Sequence, residues 1–342
     1  MKKRGLKMIA TVGALLTLAL AGCGNGNSAN KEVEASAEPK EINTLTVYSA
    51  GPDGLAANVQ QAFEEKTGMK VEMFQGTTGK ILSRLEAEKN NPVADVVVLA
   101  SVASMDGMKE SNQLQSFKDA ENADQINSNW SDADGFYYGY SASALGIAYN
   151  TKNAKVAPIE WSDLSKSEWK DKINIPDPSL SGSAVDFIYG YTEAEKSGWD
   201  IIQSWKTNGL QVNGANKEAL DSVITGDKDA TISGVDYMAY KAKADGEPVE
   251  IVYPKSGTIV SPRAVGIMKD AKNVKGAQAY VNFLLSDEGQ KLVTDAYLLP
   301  GNKEIQVKDR AALDEIPQLS VNWKGAETKQ IDILTKFNDI FQ

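Results

Sequence analysis

Five short stretches carry hydroxyl side chains, four of them together with glycine: Ser49-Ala50-Gly51, Gly76-Thr77-Thr78-Gly79, Ala100-Ser101, Ser179-Leu180-Ser181-Gly182-Ser183 and Ser233-Gly234. Glycine lets backbone N–H groups come close to a ligand, hydroxyls donate, and helix N-termini favour negative charge. Such loops gathered at one point would cradle an anion without needing a lysine. Each loop taken alone is equally well explained as a helix cap, where Ser, Thr and Gly are common. Both readings stay open from the residues alone.

Charged candidates are fewer. Arg263 follows Pro262 in a stretch that reads as a crossing between lobes, so it could add a charge-assisted bond to the anion, or lie in a surface ion pair. Asp186 and Asp236 could accept from sugar hydroxyls or pair with an amine at the other end of the solute. Asp186, in the first turns after Ser183, equally complements a helix dipole. Hydrolysis needs a nucleophile with a base, or a metal site. The chain contains no histidine, so a Ser-His-Asp triad is impossible, and no Gly-x-Ser-x-Gly elbow is evident. Lys80 is the one lysine near these hydroxyl loops. The expectation is a binder, with no catalytic residue, metal site or cofactor.

The elements that must position these loops follow from periodicity. Leu45–Ser49 reads as a strand, and Gly54–Thr67 as a helix with Leu55, Val59, Ala62 and Phe63 on one face, ended by Gly68. Lys70–Phe74 is a second strand, followed by a helix carrying Ile81, Leu82 and Leu85. Asp95–Leu99 is a continuous apolar strand, as expected where helices cover both sheet faces. This βαβαβ order predicts a parallel, doubly wound α/β sheet. In such sheets ligands bind beyond the carboxyl ends of the strands, which is where the hydroxyl loops fall. Tyr138–Tyr149 and Val249–Met268 read as two crossings between lobes. The expected organisation is lobe 1 over 43–139 plus 260–342, with the C-terminal helices free to pack on lobe 2, and lobe 2 over 140–259. A two-segment hinge of this kind lets lobes close on a ligand. Gly276–Leu292 reads as one late helix.

The first residues set the compartment. Lys2, Lys3, Arg4 and Lys7 precede an apolar run from Met8 to Gly22 that is too short to span a bilayer but fits a secretory signal. It ends Leu20-Ala21-Gly22-Cys23, which reads as a lipobox with Cys23 as the lipidated new N-terminus. Residues 1–22 are thus the signal and 23–42 a polar, flexible tether. Cys23 is the sole cysteine, so no intrachain disulfide can form. Removing the four basic signal residues from the total of 36 leaves 32 against 46 acidic ones, a net charge of −14. Such a surface repels nucleic acid.

At this point the sequence resembles the extracellular solute-binding lipoproteins of ABC importers, in the iron, phosphonate and sugar-phosphate branch. The resemblance rests on TVYSAGPDGL, AFEEKTGMKVEMFQGTTGKILSRLEAEKNNPVADVVVLAS, SALGIAYNT, the IPDPSLSGSA turn, AVGIMKDAKNVKGAQAYVNFLLSDEGQKLV and Leu299-Pro300. It implies two α/β lobes of type II periplasmic-binding-protein kind that close on a ligand, a permease and an ATPase as partners, a monomer, and no catalysis. Iron-binding members carry two adjacent tyrosines at the start of a second-lobe helix. The matching place here reads Val235-Asp236-Tyr237, and Tyr137-Tyr138 lies outside that motif. The resemblance therefore favours an organic phosphate or phosphonate held by Ser49, Ala50, Gly51, Gly76, Thr77, Thr78, Gly79, Ser101, Ser181, Gly182, Ser183 and Ser233, with Asp186, Asp236 and Arg263 contributing charge. Ferric iron is the alternative solute, and a ligand-presenting subunit for a membrane histidine kinase the alternative role. Tyr189, Tyr237 and Tyr240 could wall the cleft, though tyrosines at helical spacing belong more often to the core; Trp161 and Trp169 are expected to pack the second lobe.

Overall fold

The computed structural model describes residues 43–341 except Lys324. The signal, the tether and Cys23 lie outside the described residues.

The first half follows the expected order. Strand β1 (Thr44–Ser49) leads to helix α1 (Asp53–Thr67), strand β2 (Lys70–Gln75), helix α2 (Thr78–Glu88), strand β3 (Val96–Leu99) and helix α3 (Val102–Glu110). Gly68 ends α1 in the left-handed conformation, φ 71°, and its N–H closes on the Glu64 carbonyl. All four residues of β3 are buried, because helices cover both of its faces. Strand β4 (Leu114–Gln115) precedes β5 (Tyr137–Asn150).

The second half contains β6 (Ile173–Ile175), α4 (Gly182–Ala194), α5 (Gly198–Thr207), β7 (Gln211–Val212), α6 (Asn216–Thr225), β8 (Ala230–Val235), α7 (Asp236–Ala244) and β9 (Val249–Val252). The chain then returns through β10 (Ile259–Met268), α8 (Val274–Leu285), α9 (Asp287–Asp295), β11 (Leu299–Pro300) and α10 (Ala326–Phe341).

The strands form one sheet in the order β2-β1-β3-β10-β5-β8-β6-β7. It has two parallel wings: β1 pairs in parallel with β2 and β3, and β6 in parallel with β7 and β8. Between them β5 and β10 run antiparallel to each other and to the flanking strands, so the parallel pattern read from the sequence holds within each wing only. The first wing has a core of Leu45, Val47, Val59, Phe63, Tyr280 and Leu284. The second has Trp161, Ile173, Phe187, Trp205, Ile232 and Phe337. Burying each of these large side chains contributes about 1.5–3 kcal/mol. Trp161 lies 4.9 Å from the Phe187 ring centre and donates from Nε1 to the Gly257 carbonyl at 2.9 Å. Trp169 and Tyr189 are also buried, whereas Tyr237 and Tyr240 are only partly so.

One feature departs from the expectation. The late helix is two helices, because Ser286 adopts φ −71°, ψ 161° and its hydroxyl caps Gly289 N–H; Asp287 and Glu288 then complement the dipole of α9. The C-terminal segment reaches the second wing, a placement the expected lobe boundaries left open. Phe337 of α10 is buried in the second core, while Ala326 at the start of α10 meets Ala103 of α3 and Tyr189 of α4.

Candidate functional site

The pairing of β5 with β10 sets Ser143 opposite Ser261 and Ser141 opposite Arg263. Directly opposed residues share a face, and alternate residues repeat it. Three serines and one arginine therefore form a polar floor between two apolar cores. Arg263 is 3% exposed, and its Nη1 donates to Ser143 Oγ at 2.6 Å. Its Nε and the Ser141 hydroxyl are buried without partners. Among the described residues no carboxylate lies within 4.0 Å of its guanidinium, so the surface ion pair considered from sequence does not form. Its one aromatic neighbour of this kind is Tyr237, whose ring centre is 5.1 Å from Cζ. Burial raises the Tyr140 and Tyr237 hydroxyls above the ordinary tyrosine value, and the Arg263 charge opposes that rise. A buried guanidinium costs free energy until an anion or other acceptor meets it. Here the free donors are those a small anion would take.

The walls come from the loops singled out by sequence. Ser101 caps α3 by accepting from Ser104 N–H at 3.2 Å, and its hydroxyl donates to Asp186 Oδ1 at 2.8 Å. Ser261 Oγ donates to Asp186 Oδ2 at 2.7 Å. Burial pushes the Asp186 carboxyl up to about 7, against the opposing pull of its two hydroxyl partners. Thr77 caps α2, and Thr78 Oγ1 accepts from Ala100 N–H at 3.2 Å. A Cβ at Gly79 would stand 2.6 Å from the Ser179 carbonyl oxygen, and one at Gly182 would stand 2.9 Å from Thr78 Oγ1. Only glycine lets these two loops touch.

Several candidates are occupied within the protein. Ser181 caps α4 and, with Ser183, hydrogen-bonds Asn216. Ser49 Oγ accepts from Gly51 N–H at 3.1 Å, and Gly51 packs near the Tyr140 hydroxyl. The Ala50 N–H bonds the Val98 carbonyl, and Gly76 has the Ser49 carbonyl as its partner. The capping alternative thus describes Thr77, Ser101 and Ser181. Ser233 keeps a buried hydroxyl with no partner, at φ 59°, where the β5–β8 register slips. Serine rarely adopts that conformation, so the surrounding structure must hold it there.

Asp236 is not free to meet a solute. Its Oδ2 accepts from Arg310 Nη2 at 2.6 Å, Ala144 N–H at 3.0 Å and the Tyr253 hydroxyl at 3.0 Å, and the Asp236 and Arg310 side chains are both fully buried. The sequence reading lacked Arg310, Ser141, Ser143 and Gln75, whose Oε1 is buried and unpaired while its Nε2 donates to the Gly51 carbonyl. The Ser-Ala-Ser alternation at 141–143 is the one signal that could have pointed to two of them. A cavity of about 500 Å³ lies elsewhere, lined by Leu82, Leu85, Met108 and Met268, and touches none of the candidate residues. Among the described residues its lining has no unpartnered buried polar atom, so the polar floor is the better candidate.

Comparison with known proteins gives consistent likenesses. Residues 91–329 match the family model of the bacterial extracellular solute-binding proteins. Iron uptake protein A1 of Synechocystis is 25% identical over 327 residues, covering 90% of this chain and 88% of its own. The putative 2-aminoethylphosphonate-binding periplasmic protein of Salmonella paratyphi A is 26% identical over 312 residues, covering 84% of this chain and 90% of its own. The structure of periplasmic binding protein AfuA from Actinobacillus pleuropneumoniae, with fructose-6-phosphate bound, superposes with a TM-score of 0.80 at 23% identity, over 87% of this chain and 98% of its own. At that identity the last likeness carries the fold alone.

Proposed function

The chain belongs to the bacterial extracellular solute-binding proteins, and from that premise we propose that it captures a small organic phosphate or phosphonate for an ABC importer. In this reading 43–139 plus 260–342 and 140–259 are lobes that close about β5 and β10, without catalysis, and a permease with its ATPase accepts the solute. The observation that carries it is Arg263, a buried cation with an unpaired Nε beside the unpaired Ser141 hydroxyl. Phosphoryl oxygens would accept from both, a pairing stronger than neutral hydrogen bonds. Gln75, through its buried and unpaired Oε1, supplies an acceptor for a hydroxyl or amine group at the other end. The 2-aminoethylphosphonate and fructose-6-phosphate named for two relatives have this two-ended chemistry.

Ferric iron is the second reading, favoured by the likeness to iron uptake protein A1. Against it, Arg263 would repel a trivalent cation, and Asp236 is committed to Arg310. Thermal unfolding of the purified protein with sugar phosphates, aminoalkylphosphonates, inorganic phosphate and Fe(III) separates the two. A solute present at 100 times its Kd stabilises by about 2.7 kcal/mol. The phosphate reading expects that shift from one organic anion. A shift with Fe(III) alone sinks it.

The lipid anchor at Cys23 belongs to the same proposal. A Cys23→Ser chain is expected in the culture medium or periplasm rather than in the membrane pellet, since one or more acyl chains no longer hold it. Unchanged membrane retention on fractionation would count against the anchor.

A further inference from the structure

Asp186 hydrogen-bonds across three elements that also pack on one another. It sits on α4 of the second wing, accepts from Ser101 at the start of α3 in the first wing at 2.8 Å, and accepts from Ser261 on the crossing strand β10 at 2.7 Å. The carboxyl is 2% exposed and has no salt-bridge partner within 4.0 Å among the described residues. The charged groups on the surrounding elements are engaged elsewhere. Arg263, two residues beyond Ser261 on the same face, is bound to Ser143. Lys329 of α10 pairs with Glu193 at 3.2 Å, nearly two turns along α4. On α3, Asp106 accepts from the Tyr137 hydroxyl at 2.6 Å and Lys109 pairs with Asp132 at 2.5 Å. Lys80 of α2 is exposed.

We propose that Asp186 is a proton-operated latch, whose neutral carboxyl shared between Ser101 and Ser261 holds the two wings closed, so that solute capture below neutral pH takes up a proton. This rests on the two-lobe, hinge-closing reading above. When the wings part, Asp186 loses Ser101 and gains water, and a solvated carboxyl is ionised at neutral pH. Closing removes that water and brings no cation, and this desolvation disfavours the charged form by more than the two hydroxyl bonds favour it. The carboxylate therefore takes a proton from solvent as the wings close. The hydroxyls accommodate it: Ser261 Oγ also lies 3.4 Å from the Ala100 carbonyl oxygen, so it can donate there while accepting from Asp186.

The sign follows from linkage. The closed-state carboxyl titrates near 7 and the open-state one in the ordinary range. Closure is therefore fully favoured below the ordinary carboxylate value and loses up to tenfold per pH unit as pH rises toward 7. Above 7 both states are ionised and the dependence flattens.

The test is small-angle scattering of the full chain carrying C23S, without added solute, at pH 4.5, 6.0 and 7.5. The radius of gyration should grow with pH by roughly 1 Å on the ~20 Å expected for a chain of this size. Asp186→Asn, which keeps the shape and cannot titrate, should remove the dependence. Ser101→Ala, which leaves Asp186 on Ser261, should give the larger radius throughout. A wild-type radius independent of pH that still falls with saturating fructose 6-phosphate or inorganic phosphate overturns the latch and leaves the hinge reading intact. A pH dependence undiminished in Asp186→Asn also overturns the latch. A radius that changes under no condition overturns both.

Discussion

Arg263→Ala should weaken binding of the phosphorylated solute by about 100-fold or more, with little loss of stability in the solute-free protein. A hydrogen bond to a charged group contributes about 1.5–3 kcal/mol, and two such bonds from one guanidinium exceed the 1.4 kcal/mol that makes a factor of ten. The stability arm is what separates this from a structural role. Arg263 makes one hydrogen bond, to Ser143, and faces no carboxylate. Removing it therefore deletes an uncompensated buried charge rather than one half of an ion pair. Arg263→Lys keeps the charge but loses the planar fork, and should fall between wild type and alanine. Calorimetric titration with the solute found in the thermal screen reads the affinity, and thermal unfolding without solute reads the stability. Unchanged affinity in Arg263→Ala would remove Arg263 from the site and, with it, the observation on which the phosphate reading stands.

The difference between what the chain discloses by periodicity and what it conceals is visible in single residues. Leu55, Val59 and Phe63 mark α1 because a helix repeats its inward face every three to four residues, and all three are buried. Val96–Leu99 mark a covered strand because nothing polar interrupts them. The break between α8 and α9 was also written locally, as Ser286 followed by Asp287 and Glu288, but the apolar stripe on both sides masks it. Site residues on loops were legible as hydroxyls at strand ends, yet the sequence could not separate a hydroxyl that caps its own helix from one left unpaired. Ser101 does the first and also reaches Asp186; Ser141 remains unpaired. That distinction depends on strand register, since Ser141 opposes Arg263 only through the pairing of β5 with β10. Arg310 lies furthest from such legibility. It sits 74 residues from Asp236, in a segment without helical or strand periodicity, and nothing local announces its partner.

That ion pair makes the largest stability prediction. Asp236→Ala should lower unfolding free energy by about 3–5 kcal/mol, the usual effect of leaving one member of a buried pair uncompensated. The Arg310 guanidinium would stay fully buried without its carboxylate, and Ala144 N–H and the Tyr253 hydroxyl would lose their acceptor together. Arg310→Ala should fall in the same range for the mirrored reason, since the Asp236 carboxylate would then keep only neutral donors. Double substitution by Asp236→Asn and Arg310→Met should be milder than the sum of the singles, because neither charge is left alone in the interior. Equilibrium urea unfolding of the solute-free protein measures all three, with the slope checked for constancy. A loss below about 1 kcal/mol for Asp236→Ala would mean that water or a local shift satisfies Arg310, as at an exposed pair. The pair also bears on the site. Asp236 begins α7, the next residue is Tyr237, and the Tyr237 ring lies beside Arg263. Loosening the start of α7 should therefore weaken solute binding as well, but by less than Arg263→Ala. Under the phosphate reading Asp236 acts through position rather than contact, because its pairing with Arg310 fixes the start of α7, whose Tyr237 ring lies beside Arg263.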